Sequence, residues 1–116
     1  MDVERVHLII LGLPEVTEYE HGGLPAFRVR GRRFASMLDR DRVNLMPGEE
    51  AIRAAAAEWP QWCQEGWFGR RLASLWVTFA SIDPEVLEEM VTDAWASKAP
   101  KTLVRAHHER RERRER

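Results

Sequence analysis

The chain has 116 residues, one cysteine and a formal net charge of −1. This length is typical of a single domain with its own core, and the lone cysteine excludes both an internal disulfide framework and a cysteine-rich zinc site. Because no apolar run approaches the ~20 residues of a membrane helix, and acidic residues stand near the N-terminus where a signal peptide carries positive charge, we expect a soluble, cytoplasmic protein with no membrane partner.

The N-terminal segment, MDVERVHLIILGLP, has the pattern of a short helix. Val3, Val6 and Ile10 recur at helical spacing, and Gly12 followed by Pro14 marks the end of the helix. The next segment, EVTEYE, is typical of a strand, and the pair of glycines after it breaks that strand. This part of the chain therefore predicts a helix followed by a first strand.

Apolar and basic residues alternate on both sides of Gly31 in PAFRVRGRRFASML, which predicts a β-hairpin. A two-residue turn at Gly31-Arg32 would place Arg32 at the tip of this hairpin. The strand pairs that this turn predicts are Arg30–Arg33, Val29–Phe34, Arg28–Ala35 and Phe27–Ser36. After a further turn at DRD, the segment RVNLM is expected to add another strand to the same meander.

This hairpin would be apolar on one face and basic on the other, because side chains alternate along a strand. The basic face carries Arg28, Arg30 and Arg33, with Arg32 at the tip. Such a group of arginines could contact a phosphate backbone, since the guanidinium group stays charged and donates paired hydrogen bonds. The alternative is that these arginines keep an exposed strand soluble and protect a sheet edge from unwanted pairing.

The second half of the chain predicts two helices and two strands. PGEEAIRAAAAEWP favours a helix through its alanines and through the glutamates of its first turn. QWCQEGWFGRR and LASLWVTFAS are expected to form two strands. In DPEVLEEMVTDAWASKAP, Asp83 caps a helix, Pro84 occupies its first position, and Pro100 stops it.

The order of these elements is helix, three or four strands, helix, two strands, helix. It predicts an α+β fold in which three helices pack against an antiparallel sheet of about five strands.

The C-terminal segment, RAHHERRERRER, has no apolar face, so a frayed helix and a disordered tail both remain open. We divide the chain into a single domain over residues 1–104 and a charged tail over residues 105–116. The tail holds six arginines and three glutamates, which leaves the domain with a formal charge of −4. An acidic domain attracts phosphate only through local basic patches.

The chain has five tryptophans, which is many for its length. We expect Trp59 and Trp95 to lie in the core of the domain. For Trp62, Trp67 and Trp76, two interpretations remain open, namely a place in the core or a surface that stacks bases or a ligand.

Three segments resemble the MmcQ/YjbR family, in the order in which that family has them. LGLPEVTEYEHGGLPAFRVRGRRFASML resembles the family's opening, and SIDPEVLEEMVTDAWASKAPKTL resembles its ending. The segment from GWFGRR to LWVTF lies where the family has a tryptophan-bearing second hairpin. The resemblance covers residues 3–104. It implies an α+β fold similar to that of type III secretion chaperones, and DNA binding through two hairpins known as a double wing.

The main functional hypothesis is therefore a protein that binds double-stranded DNA and is not an enzyme. Arginines of both hairpins would contact the phosphate backbone. The candidate nucleic-acid-binding residues are Arg28, Arg30, Arg32, Arg33, Arg70 and Arg71. The acidic outer faces of the second and third helices indicate that the hairpins, and not a helix, would approach the DNA.

The alternative hypothesis is a protein-interaction adaptor or chaperone-like module with no nucleic-acid role. The resemblance to secretion chaperones supports it, and it predicts a homodimer or a protein partner that contacts a sheet edge or an apolar patch.

Neither hypothesis involves catalysis. The four histidines and Cys63 lack ligand-like spacing, no positive charge near Cys63 activates its thiol, and the sequence has no glycine-rich phosphate loop. We therefore expect no catalytic residue, no metal and no cofactor.

Overall fold

The computed structural model describes residues 1–115. The helices are α1 (Val3–Leu11), α2 (Glu49–Glu58), α3 (Pro84–Lys98) and α4 (Lys101–Glu115). The strands are β1 (Val16–His21), β2 (Leu24–Val29), β3 (Arg32–Met37), β4 (Arg42–Leu45), β5 (Cys63–Phe68) and β6 (Arg71–Thr78). The strands form one sheet in the order β1-β2-β3-β4-β6-β5, and every neighbouring pair is antiparallel. The α+β fold and the order of its elements are confirmed, with six strands, and with α4 as a fourth helix.

An aspartate side chain caps the start of two helices, α1 and α3, and the predicted cap of α3 by Asp83 is confirmed. The side chain of Asp2 accepts a hydrogen bond from the backbone N–H of Arg5 at 2.9 Å, which caps α1. Asp83 accepts in the same way from Glu85 at 2.9 Å, and Pro84 stands in the first turn of α3. Both carboxylates satisfy helix N–H groups that have no partner within the helix and lie at the positive end of its dipole.

The core lies between one face of the sheet and the helices α1, α2 and α3. Trp95 of α3 is fully buried, and its indole N–H donates to the carbonyl oxygen of Pro14 at 3.0 Å. This bond joins the last third of the chain to the loop after α1. Trp59 is half-buried and stacks on Trp62, with ring centroids 5.5 Å apart. The predicted core position is thus confirmed for Trp95, while Trp59 packs at the edge of the core.

The other face of the sheet is open to solvent. Ser36, Asn44 and Trp76 stand side by side on β3, β4 and β6, one residue out of step with the buried row of Ala35, Leu45 and Leu75. Because side chains alternate along a strand, the two rows point to opposite faces of the sheet. Exposed side chains continue the open face toward both sheet edges. They are Thr17, Arg28, Gln64 and Thr78.

The first hairpin, formed by β2 and β3, turns one residue earlier than its sequence predicts. Its turn residues are Arg30 and Gly31, with φ angles of 50° and 78°. A two-residue hairpin turn of this kind needs positive φ at both central positions, and Arg30 accepts that conformation here. The observed pairs are Val29–Arg32, Arg28–Arg33, Phe27–Ala35 and Ala26–Ser36. All four predicted pairs are therefore wrong.

A bulge in β3 corrects the hydrophobic pattern that the earlier turn would otherwise disturb. The register shifts between Phe27 and Arg28, so Phe34 has no direct partner on β2. Such a bulge places two residues of one strand opposite one residue of its neighbour. As a result Phe34 and Ala35 are both buried in the core, while Arg28 and Arg33 face each other on the open face.

The arginine-rich C-terminal segment is helical in α4, which runs beside α1 and α3. Leu103 and Val104 pack against the core, and the His107 ring lies 5.1 Å from the Trp95 ring. The rest of α4 is mostly exposed, and Arg116 of the predicted tail lies outside the described residues. Among residues 1–115, no helix is long and apolar enough to span a membrane.

Candidate nucleic-acid interface

The turns of the two hairpins lie at the same end of the sheet. The second hairpin is formed by β5 and β6, with its turn at Gly69 and Arg70. Since β3 and β6 are both antiparallel to β4, they run in the same direction, and each begins directly after its hairpin turn. The midlines of the hairpins are three strand spacings apart, or roughly 14 Å at about 4.8 Å per spacing.

The C-terminal end of α3 lies at this same end of the sheet. The hydroxyl oxygen of Ser97 lies 3.0 Å from the carbonyl oxygen of Met46, which follows β4, and 2.7 Å from that of Ala94 in its own helix, so its one O–H group is shared between the two acceptors. Arg32 at the start of β3 donates from Nη1 to the carbonyl oxygen of Lys98 at 3.2 Å. This bond satisfies one of the carbonyl groups that a helix leaves free at its C-terminus.

Lys98 shares the hairpin end of the sheet with arginines of both hairpins. Arg32 contacts its carbonyl oxygen. Burial lowers the pKa of Lys98, and repulsion from the guanidinium groups of Arg32 and Arg71 lowers it further. We call Arg32, Arg71 and Lys98 the basic cluster. The sequence analysis missed Lys98, whose one signal in the sequence is its place in the last turn of the predicted helix before Pro100.

The six predicted arginines fall into two groups. Arg30 makes a salt bridge, whereas within residues 1–115 no acidic side chain lies within salt-bridge distance of the other five. Arg28 stacks on Tyr19, with its guanidinium carbon 4.6 Å from the ring centroid. Arg70 and Arg71 are exposed at the second turn, and Arg33 is half-buried on the open face. We call the five arginines without an acidic partner the free arginines: Arg28, Arg32, Arg33, Arg70 and Arg71.

Arg30 is held by Glu15, which precedes β1. Its Nε donates to Glu15 Oε1 at 2.5 Å and its Nη2 to Oε2 at 3.1 Å. The hydrogen bond to Arg30 lowers the pKa of Glu15, and the same bond raises the pKa of Arg30. Of the six predicted residues, Arg30 is therefore the least able to contact a phosphate, because Glu15 already neutralises its charge.

Cys63 is an unreactive residue of the core and takes no part in the candidate interface. It is buried on β5, with its Sγ 3.6 Å from the sulfur of Met90. Burial raises the pKa of its thiol to about 11, so almost no thiolate exists at neutral pH. No cluster of three histidine, cysteine or acidic side chains with the arrangement of a metal site occurs in the part of the chain that the structure describes.

The Cys63 thiol predicts an alkaline loss of stability. The pKa of the thiol rises from 9.0 to about 11 on folding. Its contribution to the free energy of unfolding is therefore complete below pH 9 and is lost as the pH rises through 11. Urea unfolding between pH 8 and pH 11 should show a decline for the wild type that exceeds the decline for Cys63→Ala by about 2 kcal/mol. Parallel decline of the two proteins would show that Cys63 ionises as readily in the folded chain as in the unfolded one.

Comparison with known proteins decides the family. The YjbR family model matches residues 11–97. The chain belongs to the YjbR family. The resemblance inferred from the sequence is thereby confirmed, and the YjbR match includes both hairpins and most of α3, whereas α4 lies beyond it.

A solved structure supports the fold of this YjbR chain. The crystal structure of protein DR2400 from Deinococcus radiodurans, with the family domain DUF419, superposes with a TM-score of 0.67. The two chains are 19% identical, and the match covers 81% of the YjbR chain and 75% of DR2400. At this identity the likeness shows a shared fold. Among curated proteins, none matches the chain.

Proposed function

We propose that this YjbR protein binds double-stranded DNA through its phosphate backbone, with the free arginines and Lys98 as the contacting groups. The observation that carries the proposal is that arginines from two hairpins lie at one end of the sheet, near one lysine, without acidic partners. Cationic groups that have no acidic partner within the protein keep their net positive charge for contact with phosphate.

The spacing of the hairpins suits a duplex. Their midlines are roughly 14 Å apart, close to the ~12 Å width of the major groove. Each hairpin can therefore contact the phosphates of one strand while the groove lies between them. Contacts of this kind fix the position of the protein on the duplex and carry no sequence information. Binding should therefore depend little on sequence.

The acidic surface of α3 would set the orientation of the complex. Exposed carboxylates lie in the first half of this helix, at Glu85, Glu88 and Glu89, whereas Lys98 lies at its C-terminal end. Repulsion between these groups and the phosphates would turn the start of α3 away from the DNA and direct the hairpin end toward it. An uneven distribution of charge produces an electric field that orients the protein as it approaches DNA, even when its net charge is close to zero.

The dependence of binding on salt tests the proposal. Each neutralised phosphate of B-DNA contributes about −0.9 to the slope of log K against log salt concentration. If about five of the basic groups each contact one phosphate, fluorescence anisotropy with a labelled random duplex should give a slope near −4.5. No binding at low salt, or an affinity that does not change with salt, would contradict the proposal.

Releasing Arg30 from Glu15 should strengthen binding. Glu15→Gln removes the negative charge, so Arg30 becomes a further free cation beside Arg28 and Arg32. One additional phosphate contact makes the salt slope steeper by about 0.9 and raises affinity roughly five- to ten-fold near 0.1 M salt. The measurement is the same anisotropy titration, repeated for the variant at several salt concentrations.

Glu85→Gln is the matched control for this experiment. It removes the same charge from the first turn of α3, at the opposite end of that helix from Lys98. We expect the affinity of this control to change little. An equal gain in both variants would mean that net charge, and not the position of Arg30, governs binding.

A protein partner is the second candidate, and the surface of α1 favours it. Leu8 is 68% exposed, and Leu11 lies one turn further along the helix and is also exposed. Exposed apolar side chains on neighbouring turns are typical of contact surfaces. A homodimer seen by light scattering at micromolar concentration, together with no DNA binding at low salt, would support this candidate over the first.

A further inference from the structure

A groove on the open face of the sheet begins at the basic end. It has a volume of about 560 Å³ and runs between the two hairpins. Arg33 and Arg71 line it at the end nearest the hairpin turns, while Ser36, Asn44 and Trp76 lie along its floor. Phe68 borders the groove beside Arg71. The groove thus combines positive charge at one end with polar and aromatic side chains below.

Trp76 is fixed in the floor of this groove by a glycine. Gly66 lies opposite Ser74 on the neighbouring strand, and a Cβ atom at position 66 would stand 2.8 Å from two atoms of the Trp76 ring. The absence of a side chain at position 66 therefore lets the indole lie across β5. Arg42 approaches the same ring, with its guanidinium carbon 5.9 Å from the ring centroid.

Phe68 is the most exposed large apolar side chain of the described residues. Its side chain is 83% exposed, although it belongs to a strand and has a regular partner, Arg71. Water contact over an aromatic ring is unfavourable, at about 25 cal/mol per Å² of apolar surface. An exposed phenylalanine beside Arg70 and Arg71 can stack on the flat part of a ligand while the arginines contact negative charge on the same ligand.

Asn44 adds an unpaired acceptor to the floor. Its Nδ2 donates to Ser36 Oγ at 3.2 Å, while its Oδ1 is buried and has no hydrogen-bond partner in the described residues. A buried acceptor without a donor is unfavourable. Rotation of the amide toward the groove would let a bound N–H group satisfy this oxygen.

We propose that this groove binds two consecutive unpaired nucleotides of a single-stranded DNA segment. One base stacks on Phe68 near the hairpin turn, the next base lies over Trp76 with its free N–H edge toward Asn44, and the flanking phosphates contact Arg33 and Arg71. The proposal extends the proposed function, with which it shares the two arginines, from paired to unpaired DNA.

The chemistry of the groove favours an unpaired base over other anionic ligands. Stacking on aromatic side chains together with a basic track is the usual means of binding single-stranded nucleic acid. The ring N–H groups of thymine and guanine lie on the pairing edge, and in a duplex the partner base occupies them. Only an unpaired thymine or guanine can offer such a donor to Asn44 Oδ1, whereas the amino groups of adenine and cytosine stay accessible in the major groove of a duplex.

Phe68→Ala tests the proposal in the full chain. The probes are a labelled thymidine oligonucleotide of about 12 nucleotides, a duplex of equal length, and a strand with the same phosphates but no bases. We expect the variant to lose at least about five-fold in affinity for the thymidine strand, the low end of the effect of one base–aromatic stack, and to keep its affinity for the duplex. Leu8→Ala is the matched control, since it removes another highly exposed apolar side chain, on α1.

The outcomes separate this proposal from the proposed function. Unchanged binding of the thymidine strand by Phe68→Ala, or equal affinity of the wild type for the strand without bases, would overturn the stacking site even if the duplex binds. Loss of strand binding in Phe68→Ala, with no duplex binding by the wild type, would support the stacking site and refute the duplex proposal. Binding of neither nucleic acid would overturn both.

Discussion

Charge reversal at Arg33 and Arg71 together should lower the affinity for duplex DNA by at least about 100-fold. The two residues belong to different hairpins, and neither has an acidic partner within residues 1–115. A hydrogen bond between charged groups contributes about 1.5–3 kcal/mol, so loss of two such contacts amounts to two or more powers of ten. Anisotropy titration of a random duplex measures the change.

The double variant should weaken DNA binding more than the loss of two arginines alone, because each new carboxylate lies near a further positive charge. Arg33 lies directly opposite Arg28 on β2, so the carboxylate of Arg33→Glu would also neutralise Arg28. In the same way, Arg71→Glu would place a carboxylate near Lys98. Two substitutions thus remove four positive charges from the interface.

A matched control lies on α4. Arg110→Glu combined with Arg113→Glu makes the same change of net charge on a helix that stands beside α1 and α3, away from the hairpin turns. We expect this control to weaken binding only slightly, through the general field of the protein. If it reduces affinity as much as the hairpin variant, the hairpins have no special role and binding follows total charge.

Trp95→Ala should lower the free energy of unfolding by about 3–5 kcal/mol, a large share of the ~5–15 kcal/mol that stabilises a typical domain. Trp95 is fully buried, so its removal leaves a cavity between α3 and the loop after α1. The carbonyl oxygen of Pro14 would also lose the indole N–H that it accepts, and a buried acceptor without a partner is unfavourable. Urea unfolding followed by far-ultraviolet circular dichroism measures the loss.

Trp67→Ala is the control for this experiment. The Trp67 side chain is 46% exposed, donates to Glu65 at 3.3 Å and lies near Arg53. Its removal leaves little buried cavity, and we expect a loss well below that of Trp95→Ala, at about 1 kcal/mol. Equal losses in the two variants would mean that Trp95 does not organise the core.

Most of the fold could be predicted from the sequence, because local signals set most of its elements. Asp83 and Pro84 define the start of α3 through interactions with the next few residues alone. The alternation around Gly31 likewise predicts a hairpin, since apolar residues must reach the core on one face of the sheet. The helical state of the last residues could not be decided, because α4 depends on contacts of Leu103 and His107 with distant parts of the chain.

The errors concern properties that local patterns do not determine. The position of the hairpin turn depends on the positive φ angle of Arg30, which the sequence does not reveal. The bulge in β3 then decides which side chains of that strand point into the core. The two residues that most change the candidate site are Glu15 and Lys98. Glu15 is 15 positions from Arg30 and Lys98 is 66 positions from Arg32, so no local pattern links either to its partner.

Mapping of the DNA contact by amide chemical shifts tests the central claim most directly. The ¹⁵N-labelled full chain would be titrated with a random duplex at low salt. If the two hairpins bind together, the amide signals at both turns and at the end of α3 move in one transition, over residues 28–33, 69–72 and 97–98. Shifts confined to residues 105–115 of α4, or to one hairpin alone, would contradict a shared interface between the hairpins.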